Sequence, residues 1–260
     1  MAQYNLSFAG AGRVAGALCR EMYSHGMNIR HIVSGSRNSS RLLADQCGAS
    51  WSAGTIFKEQ VEIIIVAVPD HKLKNVLESI RCHENTLVAH TAGSFGLEVF
   101  PPHIKNKGVF YPLQTFSGNR KISFRDLPFF IEANNPEMEN ILRNLAESIG
   151  GKVYVIDKEN KELLHLAAVF VCNFVNHMLT AGKELTLKAG LPFEVLEPLI
   201  NETISKAIEL GPDKSQTGPA IRNDENTIAK HIDLLSCSPE LQKIYKEITE
   251  SIIKYNKKGL

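Results

Sequence analysis

The chain has 260 residues and a formal charge of +1 at pH 7, with 43% hydrophobic and 22% charged residues. This is the composition of an ordinary soluble globular protein, and the length suits one large domain or two of average size. The near-neutral charge gives no electrostatic basis for binding nucleic acid or an anionic membrane, so we expect neither as a partner.

Two further classes of protein are not expected. The N-terminus lacks the charged and apolar regions of a secretory signal, and no continuous apolar run reaches the roughly 18 residues of a membrane span. The five cysteines are scattered, odd in number and without a CxxC pair. They predict reduced thiols in a cytoplasmic protein, and the absence of His/Cys clusters with zinc spacing predicts no metal.

The first predicted strand leads into a glycine-rich turn in the stretch SFAGAGRVAGAL, residues Ser7–Leu18. Gly10 permits a tight turn, Gly12 lets the backbone approach a pyrophosphate, and small Ala15 lets the following helix pack closely on the strand. That helix is predicted over Arg13–Tyr23, and its N-terminus would receive negative charge. The pattern favours a dinucleotide site over an ordinary turn between a strand and a helix.

The remainder of the first half alternates strands and helices. "VEIIIVAVPD" is an uninterrupted β-branched run, as expected of a parallel strand that is buried on both faces. A strand ending at Val33 precedes it, and the later strands are "NTLVAH", "GVFYPLQTF", "LPFFIEA" and "KVYVI". The predicted helices are Arg41–Gln46, Lys72–Ile80 with Asp70 as its N-cap, and Pro136–Ile149. The pattern predicts an α/β fold, a doubly wound Rossmann sheet of seven or eight strands that ends near Asp157.

The second half contains helices only, so we expect an all-α C-terminal domain. The linker over Gly211–Asp224 carries two Gly-Pro pairs and is predicted to be a loop. The predicted domains are a dinucleotide-binding Rossmann domain at 1–157 and a helical domain for substrate and dimerisation at 158–260. The predicted helices are Asn160–Ala189, Phe193–Leu210, Glu225–Leu235 and Pro239–Tyr255.

The end of the second strand indicates which nucleotide binds. A strand that accepts NAD usually ends in Asp or Glu, but the stretch here is "VSGSRNSS", with Ser34 at the acidic position. No carboxylate repels a 2′-phosphate, and Ser36 and Arg37 can donate hydrogen bonds to one. The alternative is a solvated loop that caps the next helix through Asn38 or Ser39. The predicted NADP(H)-binding residues are Gly10, Gly12, Arg13, Val14, Ser34, Ser36, Arg37, Val68, Pro69 and Thr91.

Several motifs together resemble a known family. "FAGAGRVAGAL", "VSGSR", "VAVPD", "AHTAGS" and "YPLQTF" occur in the order seen in the 6-phosphogluconate dehydrogenase-like superfamily, which includes pyrroline-carboxylate reductases and deazaflavin-linked NADP reductases. "HLAAVFVCN" and the later "TGPAIRND" resemble a bacterial group of candidate NADP oxidoreductases with a helical domain of unknown function. The resemblance covers essentially the whole chain and implies a Rossmann fold, NADP and a homodimer, but no substrate. That group often has His where this chain has Tyr111, which leaves the role of Tyr111 open.

The candidate catalytic residues are His165 and Asn173. Hydride transfer needs a proton donor, and an imidazole can give or take a proton near pH 7. His165 lies on a helix that is apolar nearly all round and is expected to be buried, so a core histidine is the alternative. On a straight helix Asn176 would lie about 16 Å away, and Asn173 would be rotated by about 80° from His165. A shared site with Asn173 therefore needs help from another element.

Four residues are candidate substrate contacts. His90, Ser94 and Gln114 follow strand ends that could line the crevice of the sheet. A loop histidine bonded to backbone is the alternative for His90. Arg222 could bind a substrate carboxylate or phosphate across a dimer, or be a plain surface arginine. Asp224 is predicted to cap the helix that follows it.

These observations predict an NADPH-dependent oxidoreductase that transfers a hydride to or from a small carbonyl or imine compound. The alternative is a non-catalytic NADP(H)-binding or regulatory module. The glycine turn does not separate the two, because both require it. A proton donor beside the bound nucleotide would distinguish the oxidoreductase from the non-catalytic module.

Overall fold

The computed structural model describes residues 4–117 and 120–257, with the side chain of residue 158 excepted. The chain divides into two compact units, Met1–Asn173 and Phe174–Leu260, here called the first and second units. The first unit is an α/β domain, and the second consists of helices.

The first unit is built on one eight-stranded sheet, as the sequence predicted. The strand order is β3-β2-β1-β4-β5-β6-β7-β8, in which β7 is antiparallel to β6 and the other neighbours are parallel. The order reverses between β1 and β4, which is where nucleotides bind in sheets of this kind. The strands are β1 Asn5–Ala9, β2 Asn28–Val33, β3 Ser50–Ser52, β4 Ile63–Val66, β5 Leu87–His90, β6 Asn106–Pro112, β7 Pro128–Ala133 and β8 Lys152–Val155.

Helices cover both faces of the sheet. The sequence of β4 is continuously apolar because both of its faces are buried. Ile63 and Ile65 pack into one core cluster with α1, α2 and α4, whereas Ile64 and Val66 pack into another with α3. All four side chains are at most 1% exposed. The helices of this unit are α1 Arg13–Ser24, α2 Arg37–Cys47, α3 Asp70–Ser79, α4 Pro136–Ser148 and α5 Lys158–Ala168.

Three local predictions need correction. The strand β3 was not predicted, because its three residues, SWS, are too few to form a hydrophobic pattern. Helix α2 begins at Arg37 with Ser36 as its N-cap, four residues earlier than predicted. Asp70 is the first residue of α3 rather than its N-cap, a position held by Pro69. Asp70 instead accepts a hydrogen bond from the Ser94 hydroxyl.

The long helix predicted over Asn160–Ala189 is divided into three segments. Helix α5 is followed by a π-helical segment, Val169–Phe174, and then by α6, Val175–Lys188. The expectation of a buried helix is wrong, because His165 is half-buried and Asn173 and Asn176 are exposed. By length and composition Glu159–Lys188 could cross a membrane, with a mean hydropathy of 1.5. No continuous apolar run announces this stretch in the sequence, because polar residues such as His165 interrupt it.

The second unit is all-α, as predicted. The predicted helix over Phe193–Leu210 is a 3-10 turn followed by an α-helix, and the predicted loop contains a four-residue helix after Gly211. Asp224 caps its helix as predicted, because its Oδ1 accepts from the Thr227 N–H at 3.1 Å. The helices are α6, α7 Glu197–Leu210, α8 Pro212–Ser215, α9 Glu225–Leu234 and α10 Pro239–Lys257.

Candidate cofactor and substrate sites

The turn between β1 and α1 shows two different requirements for glycine. Gly10 has φ +121°, and a Cβ there would lie 2.1 Å from the carbonyl oxygen of Ala67. It also donates a 2.7 Å hydrogen bond to the carbonyl of Val33. A Cβ at Gly12, in contrast, would meet no protein atom within 4 Å. Gly10 is therefore required by the protein itself, whereas Gly12 faces open space at the N-terminus of α1.

That open space belongs to a cavity of about 600 Å³ at the carboxyl ends of β1, β2 and β4, here called the first cavity. Six of the predicted cofactor residues line it, namely Gly10, Gly12, Ser34, Ser36, Val68 and Pro69. Arg13 and Val14 form the adjoining first turn of α1, and the Thr91 N–H bonds to the carbonyl of Val66. Ser39 and Lys72 also line the cavity, and the sequence analysis did not assign them to it.

The N-terminus of α2 forms the outer end of the first cavity. Ser36 and Ser39 are joined through their hydroxyls at 3.1 Å, and the Ser36 N–H donates to the Ser34 hydroxyl. The first turn of α2 contains no acidic residue, and Arg37 is exposed at its start without lining the cavity. The first N–H groups of a helix lack acceptors within it, so this end is suited to an anion.

The lining of the first cavity is suited to a pyridine nucleotide. The space beside Gly12 leaves room for a pyrophosphate against the backbone, and three serines and the N-terminus of α2 offer hydrogen-bond donors at the outer end of the cavity. Among the described residues that line the cavity, none is acidic and Lys72 is basic. Ser39 could have been predicted to line the cavity if α2 had been started at Arg37, because Ser39 is then the i+3 neighbour of Ser36.

A second cavity, of about 490 Å³, lies between the end of β6 and the helical segment from α5 to Asn173. At its wall the Tyr111 hydroxyl lies 3.1 Å from Nδ1 of His165. Their rings are 6.0 Å apart at an interplanar angle of 66°. Burial, assisted by the negative charge of Asp70, raises the pKa of Tyr111, so its phenol stays protonated at neutral pH. A protonated phenol beside an imidazole at a cavity wall is an arrangement used in general acid–base chemistry.

Asn173 lines the same cavity as His165, contrary to the rotation expected on a straight helix. The reason is the π-helical segment, Val169–Phe174. Its i to i+5 hydrogen bonds place more residues in each turn, so each residue turns by less than in an α-helix. Asn173 is thereby returned towards the face that carries His165.

Gly93 permits the approach of Tyr111 to His165. A Cβ at this position would lie 2.8 Å from Nδ1 of His165 and 2.8 Å from Cζ of Tyr111. The next residue, Ser94, donates its hydroxyl to Asp70 and lines neither cavity. The loop after β5 thus contacts Asp70, at the start of α3, through Ser94, and it approaches Tyr111 and His165, at the wall of the second cavity, through Gly93.

His90 has a structural position rather than the predicted substrate contact. Its side chain is fully buried, its Nδ1 accepts from the Ala92 N–H at 3.2 Å, and its Nε2 lies 3.2 Å from the carbonyl of Gly96. The ring also stacks on Phe100. Burial lowers the pKa of His90 to about 4, so the ring is neutral at pH 7. His90 is therefore bonded to backbone groups, which was the alternative to a substrate contact.

Lys161 is a buried cation that the sequence analysis missed. It is 0% exposed, its Nζ donates to the carbonyl of Phe95, and the same nitrogen lies 3.6 Å from Oε2 of Glu132. Burial lowers the pKa of Lys161, against the opposing effects of Glu132 and Glu98. In the sequence it stands among charged residues and resembles a solvated helix face. It ties the loop after β5 to α5, one turn before His165.

The other predicted contacts are dispersed. Gln114 lines the second cavity, and its Oε1 accepts from the Thr115 N–H at 2.9 Å. Arg222 is an exposed residue of the second unit, and its role stays a prediction. Over residues 4–117 and 120–257, no group of three or more His, Cys, Asp or Glu side chains is placed to hold a metal ion.

Residues 1–115 match the Rossmann-like domain family, and residues 127–252 match the domain of unknown function DUF2520. A candidate NADP oxidoreductase from Bacteroides fragilis is 39% identical, with 97% of this chain and 98% of that chain covered and a TM-score of 0.88. The chain belongs to this family of Rossmann-like proteins with a DUF2520 domain. No curated protein matches it in sequence.

More distant solved structures share the fold. A 1-pyrroline-5-carboxylate reductase from Streptococcus pyogenes is 13% identical over 97% of this chain and 99% of that chain, with a TM-score of 0.63. A pyrroline carboxylate reductase from Plasmodium falciparum, solved with NADP bound, is 14% identical over 98% and 99%, with a TM-score of 0.59. At these identities the likeness concerns the fold alone.

Proposed function

We propose that the protein is an NADP(H)-dependent oxidoreductase that transfers a hydride to or from a small carbonyl or imine compound. The observation that carries the proposal is the Tyr111–His165 pair at the wall of the second cavity. This cavity lies at the same edge of the sheet as the first cavity. The family relationship supports it, because the Bacteroides fragilis relative is described as a candidate NADP oxidoreductase.

NADP(H) is held by the first cavity in this proposal, and when bound it supplies or accepts the hydride. The glycine turn and the first turn of α1 bind the pyrophosphate. Ser34, Ser36 and Ser39 donate hydrogen bonds to the 2′-phosphate, and Arg37 adds a positive charge beside them. Val68 and Pro69, at the end of β4, form the wall on the side of β5.

The second cavity holds the substrate. Only β5 separates β4 from β6, so the two strand ends lie about 10 Å apart and border a common edge. Tyr111 and His165 give a proton to the substrate heteroatom during reduction, or remove one during oxidation. Asn173 orients that heteroatom from the same cavity. The apolar lining excludes water from the reacting atoms.

The experiment that tests this function compares His165→Asn and Tyr111→Phe with the wild type. We expect both variants to retain NADPH affinity and melting temperature and to lose roughly 10² to 10⁴ in turnover, the usual contribution of a general acid. Turnover is measured by NADPH oxidation, with compounds found in a screen of carbonyls and imines. Intact turnover in both variants would show that the pair is not the proton donor, whereas no turnover by the wild type with any compound would favour the non-catalytic NADP(H)-binding module.

We also propose that the protein is a cytoplasmic homodimer. The stretch Glu159–Lys188 is apolar, and none of its most apolar window is buried. Leu163, Leu166 and Val171 are 64%, 52% and 74% exposed. A surface of this kind marks an interaction site, and a second copy covers it by two-fold symmetry with the same residues on both sides.

A further inference from the structure

The second cavity has an uneven chemical lining. Its apolar wall consists of Leu113, Leu164, Ala167, Ala168, Val169 and Val171. Its polar groups are the neutral side chains of Tyr111, Gln114, Thr115 and Asn173, together with His165 and the Cys172 thiol. Of the described residues that line this cavity, none is Lys, Arg, Asp or Glu. It therefore offers hydrogen bonds to a polar atom but no fixed positive charge to an anion.

Lys161 and Asp70, two charged groups of the first unit near the Tyr111–His165 pair, do not supply that missing cation. Lys161 lies one turn before His165 on α5, but its ammonium group is directed to the Phe95 carbonyl and to Glu132. Asp70 contributes negative charge at Tyr111, where it helps to raise the pKa of the phenol. The potential at the proton-donating pair thus disfavours an anionic group.

We propose that the substrate is a predominantly apolar ketone, aldehyde or imine that carries no carboxylate or phosphate. This inference rests on the proposed function and names the substrate class of the same site. Moving an anion from water into an apolar cavity without a compensating cation is strongly unfavourable. A neutral imine or a neutral carbonyl has no such cost and keeps its single polar atom for Tyr111, His165 and Asn173.

Matched pairs of compounds test the inference on the full-length protein saturated with NADP⁺. The pairs are pentan-2-one against 2-oxopentanoate, and 2-methyl-1-pyrroline against 1-pyrroline-2-carboxylate. Affinity is measured by ligand-observed NMR. We expect the uncharged member to bind about tenfold tighter or more, a difference of roughly 1.4 kcal/mol. In a series of longer methyl ketones, each added methylene should tighten binding by about fourfold until the cavity is filled.

Equal or tighter binding of the carboxylates would overturn the inference, and so would the absence of binding by every member of the pairs. The same compounds are then assayed for NADPH oxidation. If the uncharged compounds bind but none is reduced, the substrate class stands as a binding preference and the proposed oxidoreductase function fails. The two failures are therefore distinguishable.

A charge placed in the cavity provides the converse test. Gln114→Arg adds a cation to the lining, whereas Gln60→Arg adds the same charge at an exposed position that lines neither cavity. We expect Gln114→Arg to tighten carboxylate binding about tenfold and Gln60→Arg to leave it unchanged. Thr115→Lys, at the exposed neighbouring position, serves if Gln114→Arg lowers the melting temperature. Carboxylate binding that responds to neither cavity variant, or responds equally to Gln60→Arg, contradicts the inference.

Discussion

Tyr111 and His165 are 54 residues apart in sequence, yet the phenolic oxygen of one lies 3.1 Å from Nδ1 of the other. Their meeting depends on Gly93, at which any side chain would collide with both. It also depends on Lys161, which fastens the loop after β5 to the helix that carries His165. The pair is thus held by three separate segments of the first unit.

Gly93→Ala should separate the pair without affecting the nucleotide site. The added Cβ would lie 2.8 Å from atoms of both residues, so one of them must move. A misplacement of about 1 Å costs roughly 10² in rate, and we expect a loss of that order in turnover with unchanged NADPH affinity. The control is Gly54→Ala, because a Cβ there meets no atom within 4 Å. Full activity in Gly93→Ala would show that the pair is not the proton donor.

Gly12→Ala should separate cofactor binding from folding. Because a Cβ at Gly12 meets no protein atom within 4 Å, the melting temperature should remain near that of the wild type. The methyl group would instead occupy space required by the pyrophosphate, and we expect NADPH affinity to fall about tenfold or more, as measured by calorimetry. Gly10→Ala is the contrasting variant and should destabilise the fold. Gly10 has φ +121°, and the added Cβ would lie 2.1 Å from the carbonyl oxygen of Ala67. NADPH affinity that survives Gly12→Ala would place the pyrophosphate elsewhere.

Arg37→Ala should reduce the preference for NADPH over NADH. The wild type is expected to bind NADPH at least several-fold tighter, because the first turn of α2 offers serines and a guanidinium and no carboxylate. Arg41→Ala is the matched control, since Arg41 is an exposed residue one turn further along α2 that pairs with Asp45. Calorimetry with both nucleotides measures the effect. Equal affinities in the wild type, or no loss in Arg37→Ala, would remove the basis for NADP.

His90 should make the protein less stable in mild acid. Its pKa is about 4 in the folded protein, against 6.5 when unfolded, so the unfolded chain takes up the proton first. Its contribution is complete above pH 6.5 and is lost as the pH falls from 6.5 towards 4, by about 1.4 kcal/mol per pH unit. Between pH 6.5 and 5 the free energy of unfolding should thus fall by about 2 kcal/mol more in the wild type than in His90→Gln.

Urea unfolding of both proteins across this range measures that difference. His31, whose pKa is also lowered by burial, is present in both proteins, and its contribution cancels. The same pH dependence in both proteins would mean that His90 takes up its proton in the folded state as readily as in the unfolded chain.

Leu163→Glu should convert the proposed dimer to a monomer. Leu163 is 64% exposed on α5 and does not line the second cavity, so a carboxylate there charges the apolar face without filling the site. Light scattering at tens of micromolar should give the mass of a dimer for the wild type and that of a monomer for the variant. Leu42→Glu, at a 62% exposed position on α2, is the control. A monomeric wild type, or one that sediments with lipid vesicles, would contradict the homodimer.

The sequence alone predicted most elements of the fold and the glycine turn beside which the first cavity lies. Hydrophobic periodicity and β-branched runs report locally whether a segment is a helix or a buried strand, and "VEIIIVAVPD" and the glycine turn were read in this way. The position of the serines after β2 was also predictable, because the end of the second strand follows the glycine turn at a nearly constant distance along the sequence. The three-residue strand β3 is too short to show such a pattern and was missed.

Only the tertiary structure decided which side chains share a cavity. His90, Ser94 and Tyr111 all follow or end neighbouring strands, but packing buries His90, directs Ser94 to Asp70 and leaves Tyr111 at the cavity wall. The π-helical segment returns Asn173 towards His165, and the fold buries Lys161 although its neighbours in sequence are charged. These outcomes depend on the rotation of helices and on contacts between distant segments. The local pattern of residues carries no information about either, because periodicity defines a face but not its partner.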